Sequence, residues 1–201
     1  MSTDAQVAKA PKRARGVQRV AELLDAGAEL FAQNGYDATT MTQIAQRAGA
    51  SIGSLYQFFP SKEVLAEALF GRYVDRVTSQ LEDLVKRAPG LSSVRLANCV
   101  VDLILDVRSD REAAAGLYSS IAGIVERRKP LRDATRRQIA SILRAANPRL
   151  REKTAGEAAV LIVHFMKIVP ILAQEEEHGG QALVAQARKM LAAYLERVLK
   201  R

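Results

Sequence analysis

Residues 40–62 gather groups suited to hydrogen-bonding base edges and phosphates: the hydroxyls of Thr40, Thr42, Ser54 and Tyr56, the amide of Gln57 and the ammonium of Lys62. Such hydroxyls and amides can read bases or hold phosphate oxygens, and an ammonium offsets phosphate charge. Gly53 has no Cβ, so a helix end there can approach a backbone closely, and its free N–H groups favour phosphate. The stretch SIGSLYQFF (51–59) sets Tyr56, Phe58 and Phe59 beside a glycine and two serines, which suits neither a plain core nor a plain surface. Catalysis asks for other groupings. The chain has two His and one Cys, with no HExxH, no CxxC and no phosphate-cradling glycine loop, so no nucleophile–base or metal constellation converges. The expectation is a protein that is not an enzyme and uses no metal and no cofactor.

Two short helices must position these groups. Thr40-Met41-Thr42-Gln43 fits a capping box, with a threonine cap and a glutamine three residues later. The helix it starts runs through Ala48 and stops at Gly49. Ser51 is the expected cap of a second short helix through Phe58. Ser61 caps a third, in which Glu63 lies near the positive helix end. Helices that cross closely need a small residue at the crossing and a turn residue that accepts positive φ, and Ala45 and Gly49 supply them. Ile44, Ala48, Leu55 and Phe58 or Phe59 are then the buried side. Ile52, Gly53, Ser54 and Gln57 face outward, with Tyr56 at the edge. This is a helix-turn-helix whose outward face suits a major groove.

The residues Thr39-Thr40-Met41-Thr42-Gln43-Ile44-Ala45-Gln46-Arg47-Ala48-Gly49, followed by Gly53-Ser54-Leu55-Tyr56-Gln57-Phe58-Phe59-Pro60-Ser61-Lys62-Glu63, resemble the TetR family of bacterial transcriptional regulators. Ala28-Glu29-Leu30-Phe31-Ala32-Gln33-Asn34-Gly35-Tyr36 is similar to that family's first helix and its Gly-aromatic end. The resemblance is continuous from about Arg19 to Leu69. It implies a cytoplasmic homodimer that binds a pseudo-palindromic double-stranded DNA operator, represses transcription, and is released by an unknown small-molecule inducer. Carried over by position, Thr42, Ile52, Gly53 and Ser54 are base-reading candidates, and Thr40, Tyr56, Gln57 and Lys62 are phosphate candidates. Position 52 departs from the polar, basic or proline residue frequent in the family. Ile52 could touch a thymine methyl, or it could help cover the core. A transcriptional activator or a ligand-independent DNA-binding protein of the same fold is the alternative. From other classes come a basic membrane-surface protein and an enzyme.

The whole chain of 201 residues reads as all-α, with about nine helices and no strand. Ala, Leu, Glu, Arg and Gln abound, while Pro and Gly are sparse. Three segments are expected: a disordered basic arm at 1–14, a helix-turn-helix DNA-binding domain at 15–62, and a larger ligand-binding and dimerisation domain at 63–201. The first helix spans 17–34, and a long one runs from Ser61 to about Arg87. Helices follow over 91–109, 110–128 from an Asp110 cap, 130–146 from Pro130, and 147–177 from Asn147-Pro148. A last helix closes the chain. Val184, Ala187, Leu191, Tyr194 and Val198 recur at three and four, a narrow seam expected to form the dimer interface with the apolar helix 158–173. That apolar run is short for a membrane span and reads as buried in protein, with no membrane partner.

The net charge of +8 suits nucleic acid. Its distribution is uneven: residues 1–60 carry six Lys/Arg against five acids, whereas 126–151 carry nine against two. The second stretch reads as a solvated arginine face, and Lys9 to Arg19 as a basic arm. Arg95, Asn98, Asp102 and Asp106 form a stripe expected to face solvent. His164 and Lys167 could serve a pocket or an interface, and the ligand-binding residues stay unassigned. Cys99 has no disulfide partner, which fits a reducing cytosol, and it reads as a small buried residue. The polar N-terminus does not read as a secretory signal.

Overall fold

A computed structural model describes residues 14–107 and 124–200, with side chains from 129 onward in the second span. The expected arm before Ala14 and the Asp110 helix start lie outside the described residues. Eight helices and no strand occur among the described residues: α1 (Ala14–Asn34), α2 (Met41–Arg47), α3 (Ile52–Phe58), α4 (Lys62–Arg87), α5 (Ser93–Asp106), α6 (Ile124–Ala146), α7 (Glu152–Ala173) and α8 (Gly180–Leu199). They fall into two compact units, one over 14–75 and the other over 76–107 and 125–200.

The first unit is built on one apolar cluster. Leu23, Phe31, Ile44, Leu55, Phe59, Leu65 and Leu69 are buried at its centre. The boundary therefore falls inside α4, after Asp75, and not at residue 62. The cause is packing: Val64, Leu65, Ala66 and Leu69, from the first turns of α4, complete the core of α1–α3. Gly27 makes this possible, since a Cβ there would lie 2.8 Å from Leu65 Cδ2. The expected basic arm also shortens, because Arg15 and Arg19 are already on α1.

In the second unit α8 packs chiefly on α5 and then on α7. Its core joins Leu81 and Leu84 of α4, Leu96, Val100 and Val101 of α5, Ile139 and Ile142 of α6, Ala158 and Ile162 of α7, and Leu191 and Leu195 of α8. Several boundaries differ from expectation. The helix read as starting at Pro130 begins at Ile124 and runs through the proline. The helix read from Asn147 begins at Glu152. Asn147 instead closes a turn: its Oδ1 accepts from Arg149 N at 2.9 Å, and its Nδ2 donates to Leu199 O at 2.8 Å. The same helix ends at Ala173, before turns that reach Gly179 at φ 70°. The polar stripe on α5 faces solvent as expected, with Arg95, Asp102 and Asp106 exposed, and it is also paired. Asp102 pairs with Arg188 at 2.6 Å, Arg188 also donates to Asn98 O, and Asp106 accepts from Arg76 at 3.0 Å.

The seam assigned to a partner is used inside the chain. Val184, Ala187, Leu191 and Val198 are buried against the chain's own helices, and Tyr194 is half-buried. The 3-4 spacing marks a helix that buries one narrow face, and here α5 and α7 cover it. The apolar run on α7 is only partly buried. Ala155, Ala158, Ala159, Ile162 and Val163 face the core, while Val160, Leu161, Ile168 and Ile171 are exposed. By length and composition α7 could cross a membrane, with 39% of its most apolar window buried within the chain.

Gly27→Val should lower stability by about 1–3 kcal/mol through overpacking against Leu65. Gly71→Ala, in α4 with open space at the Cβ, should raise it by about 0.5–1 kcal/mol. Thermal unfolding followed by helical circular dichroism checks both. Equal destabilisation by the two changes would contradict the packing described.

Candidate nucleic-acid interface

Local chemistry fixes each turn of the helix-turn-helix. Thr40 Oγ accepts from Gln43 N at 3.2 Å, and Gln43 Oε1 accepts from Thr40 N at 2.8 Å, a complete capping box. At the other end of α2, Ala50 N donates to Ala45 O at 2.9 Å and Gly49 N to Gln46 O at 3.1 Å. This is a Schellman closure, and it puts Gly49 at φ 58°, a region a Cβ disfavours. Ser51 Oγ then accepts from Ser54 N at 3.2 Å and starts α3. Ala45, 2% exposed, leaves room for the helices to cross.

The three aromatics of SIGSLYQFF part company. Phe59 is buried with Leu55, Phe58 is half-buried, and Tyr56 is exposed. On α3 the exposed residues are Ile52, Gly53, Tyr56 and Gln57, which at helical spacing make one stripe. Two placements differ from the sequence reading. Tyr56 stands within the exposed stripe and not at its edge, while Ser54 is half-buried at the margin. A helix turns 100° per residue, which puts Ser54 nearer the buried side of Leu55 and Phe58. Ile52 is 42% exposed, so it does not cover the core. Thr42 and Thr40 are exposed on and just before α2.

Lys62, expected at a phosphate, is bonded within the first unit. Its ammonium donates to the carbonyl oxygens of Tyr36 at 2.9 Å, Thr39 at 3.1 Å and Asp37 at 3.4 Å. An ammonium has three N–H groups, so these bonds occupy all of them. The same nitrogen lies 4.3 Å from the centre of the Tyr36 ring. Tyr36 in turn donates its hydroxyl to Glu63 Oε1 at 3.1 Å and packs its ring on Phe31. Burial, with Glu63 nearby, pushes the Tyr36 phenol well above its usual range. The Ser61 hydroxyl and the backbone N–H hold the Glu63 carboxyl below the usual carboxylate range.

Sequence reasoning missed this clasp. The only signal was a Lys-Glu pair opening α4 and an aromatic residue closing the turn after α1. It also missed Arg19, whose guanidinium donates to Ala48 O at 3.3 Å and pairs with Glu22 at 2.8 Å, tying α1 to the end of α2. Buried Thr39 donates to Leu30 O or Gly35 O and closes the same corner. Among the described residues the one group with metal-ligand spacing is Glu175, Glu177 and His178, all exposed on the turn before α8. The second unit holds an open groove of about 890 Å³ between α4 and α5, lined by residues that include Gln80, Asp83, Leu84, Cys99 and Leu103. Cys99 is thus half-buried beside space, not enclosed in core.

Comparison with known proteins agrees with this architecture. Residues 23–69 match bacterial regulatory proteins of the tetR family, and residues 95–195 match the tetracyclin repressor-like C-terminal domain. The HTH-type transcriptional repressor KstR2 of Rhodococcus jostii is 34% identical over 100 residues, 50% of this chain and 48% of that protein. The A-factor receptor protein of Streptomyces griseus is 33% identical over 113 residues, 56% of this chain and 38% of that one. The chain thus spans about half the length, or less, of these curated relatives. A transcriptional regulator from Aquifex aeolicus VF5 shares the fold at 20% identity, with a TM-score of 0.66 over 88% of this chain and 99% of that one. With the two matches together reaching both units of an all-helical chain, the protein belongs to the TetR family of bacterial regulatory proteins.

Proposed function

We propose that this protein is a ligand-responsive transcriptional repressor that binds a pseudo-palindromic duplex operator as a homodimer and is released by a small molecule. The observation that carries the reading is the exposed stripe of α3, Ile52, Gly53, Tyr56 and Gln57, held outward by buried Leu55 and Phe59. Its relatives' names, a transcriptional repressor and a receptor protein, support the two halves of the reading. Thr42, Ile52, Gly53 and Ser54 are assigned to bases, and Thr40, Tyr56 and Gln57 to phosphates. The Ser54 hydroxyl has no partner among the described residues and sits at the margin of the stripe.

The exposed apolar residues of α7 support dimerisation. Leu161, His164, Ile168 and Ile171 recur at three and four along its outer side, with Leu161 57% and Ile171 63% exposed. A second copy of the same stripe would cover them by two-fold symmetry. Two α3 helices per dimer then address two half-sites. The groove between α4 and α5 is open and carries the charged side chains of Asp83, Lys86, Arg87, Asp102 and Asp106, unlike the enclosed, mostly apolar sites of drug-sized ligands, so no ligand-binding residues are assigned to it. α4 supplies core residues to both units, the physical link that a ligand-driven shift in population needs.

Gel shift against fragments of the source genome at physiological salt, beside liposome binding, tests the reading. It requires a specific duplex, and vesicle binding without duplex binding would sink it. Tyr56→Ala should weaken binding to all sequences about ten- to hundredfold, as loss of a hydrogen bond to a charged group does. Ser54→Ala should change preference at particular base pairs, and a uniform loss would overturn its base-reading role. Leu161→Glu combined with Ile168→Glu should give a folded monomer by sedimentation and lose operator binding. A dimer that survives both changes would move the interface elsewhere. Lys62→Met should lower the melting temperature of the protein while leaving the salt dependence of binding unchanged; a shallower slope at unchanged stability would return Lys62 to the phosphate role.

A further inference from the structure

We propose that Ile52 reads the 5-methyl group of thymine, so that the protein requires thymine itself, and not only a hydrogen-bond pattern, at one position in each half-site. The inference rests on the reading of α3 as a major-groove helix and adds the chemistry of one contact. Ile52 opens α3 with 42% of its surface exposed, and no cap or hydrogen bond engages its side chain. Ser51, just before it, is the cap, with its hydroxyl on Ser54 N. Next to Ile52 on the stripe, Gly53 has open space where a Cβ would be, with no atom within 4 Å. One turn later the stripe continues with Tyr56 and Gln57, both exposed and both able to hydrogen-bond. Ile52 is thus the one side chain on the exposed stripe of α3 with nothing to donate or accept.

The major groove offers one apolar feature to such a group. Each base pair presents donors and acceptors there, and thymine adds its methyl. A polar base edge against Ile52 would lose its water without a hydrogen bond in return, a loss that a methyl does not incur. The β-branched side chain is also stiff at χ1, so little freedom is lost when it is fixed against a partner. Tyr56 lies four residues on, on the same side of the helix, and shields the contact from water on one flank. The contact discriminates by apolar burial alone, so its expected size is that of one buried methyl, a change of about fourfold in Kd.

The test uses the full chain and a duplex obtained by selection from genomic fragments. Each thymine is replaced in turn by uracil, which removes the methyl and keeps every hydrogen-bonding group. The wild-type protein should lose about fourfold in affinity at one symmetry-related position per half-site. Ile52→Ala, whose helix content is checked by circular dichroism, should bind the thymine and uracil duplexes equally at that position. Two results would overturn the inference while leaving the operator reading intact: specific binding that no uracil substitution weakens, or an Ile52→Ala protein that still prefers thymine to the same degree. If no duplex is bound specifically, the operator reading fails and the inference fails with it.

Discussion

A helix of seven residues does not hold itself together in water, because nucleation costs more than so few hydrogen bonds return. α3 is such a helix, and it exists because Leu55 and Phe59 are locked into the first unit's core at 0% and 1% exposure. Everything that faces outward from α3 inherits its position from that burial. The backbone of the exposed stripe is therefore placed by the core beneath it, not by contacts of its own side chains. Truncating a leucine buried as deeply as Leu55 costs about 2–5 kcal/mol and removes the support of every contact on the stripe at once. The surface is expendable residue by residue, and the platform is not.

Three ties surround that platform. The Schellman closure at Gly49 sets the angle between α2 and α3, Arg19 pins the end of α2 to α1, and Lys62 gathers the carbonyls of 36–39 at the start of α4. The last of these makes α4 part of the first unit while its later turns belong to the core of the second. Val64 to Leu69 and Val77 to Leu84 are thus stretches of one helix serving two cores.

Much of the first unit was legible in the sequence because its elements carry local codes. The capping box at Thr40, the glycine at 49 and the serine cap at 51 each specify backbone geometry within four residues. What did not show was long-range. Lys62 looked like a free cation because the carbonyls it binds lie more than twenty residues earlier, and no side-chain pattern marks an acceptor on the backbone. The α8 seam read as an interface because 3-4 spacing says that one face is covered without saying by what. Val184, Ala187, Leu191 and Val198 turned out to be covered from within the chain, and α7 keeps Leu161 and Ile171 exposed. Boundaries such as Asn147-Pro148 were misplaced because Asn147 spends its side chain on Leu199, a contact with a residue at the far end of the chain.

Dimethyl sulfate protection on a selected genomic duplex tests the central claim, that the exposed stripe of α3 enters the major groove, most directly. The reagent methylates guanine N7 in the major groove and adenine N3 in the minor groove, so it distinguishes the two faces of the helix. The account predicts protected guanines in two half-sites with their centres one or more helical turns apart, lost when Ile52, Tyr56 and Gln57 are replaced together. Protection confined to adenine N3, or unchanged after that replacement, would contradict it.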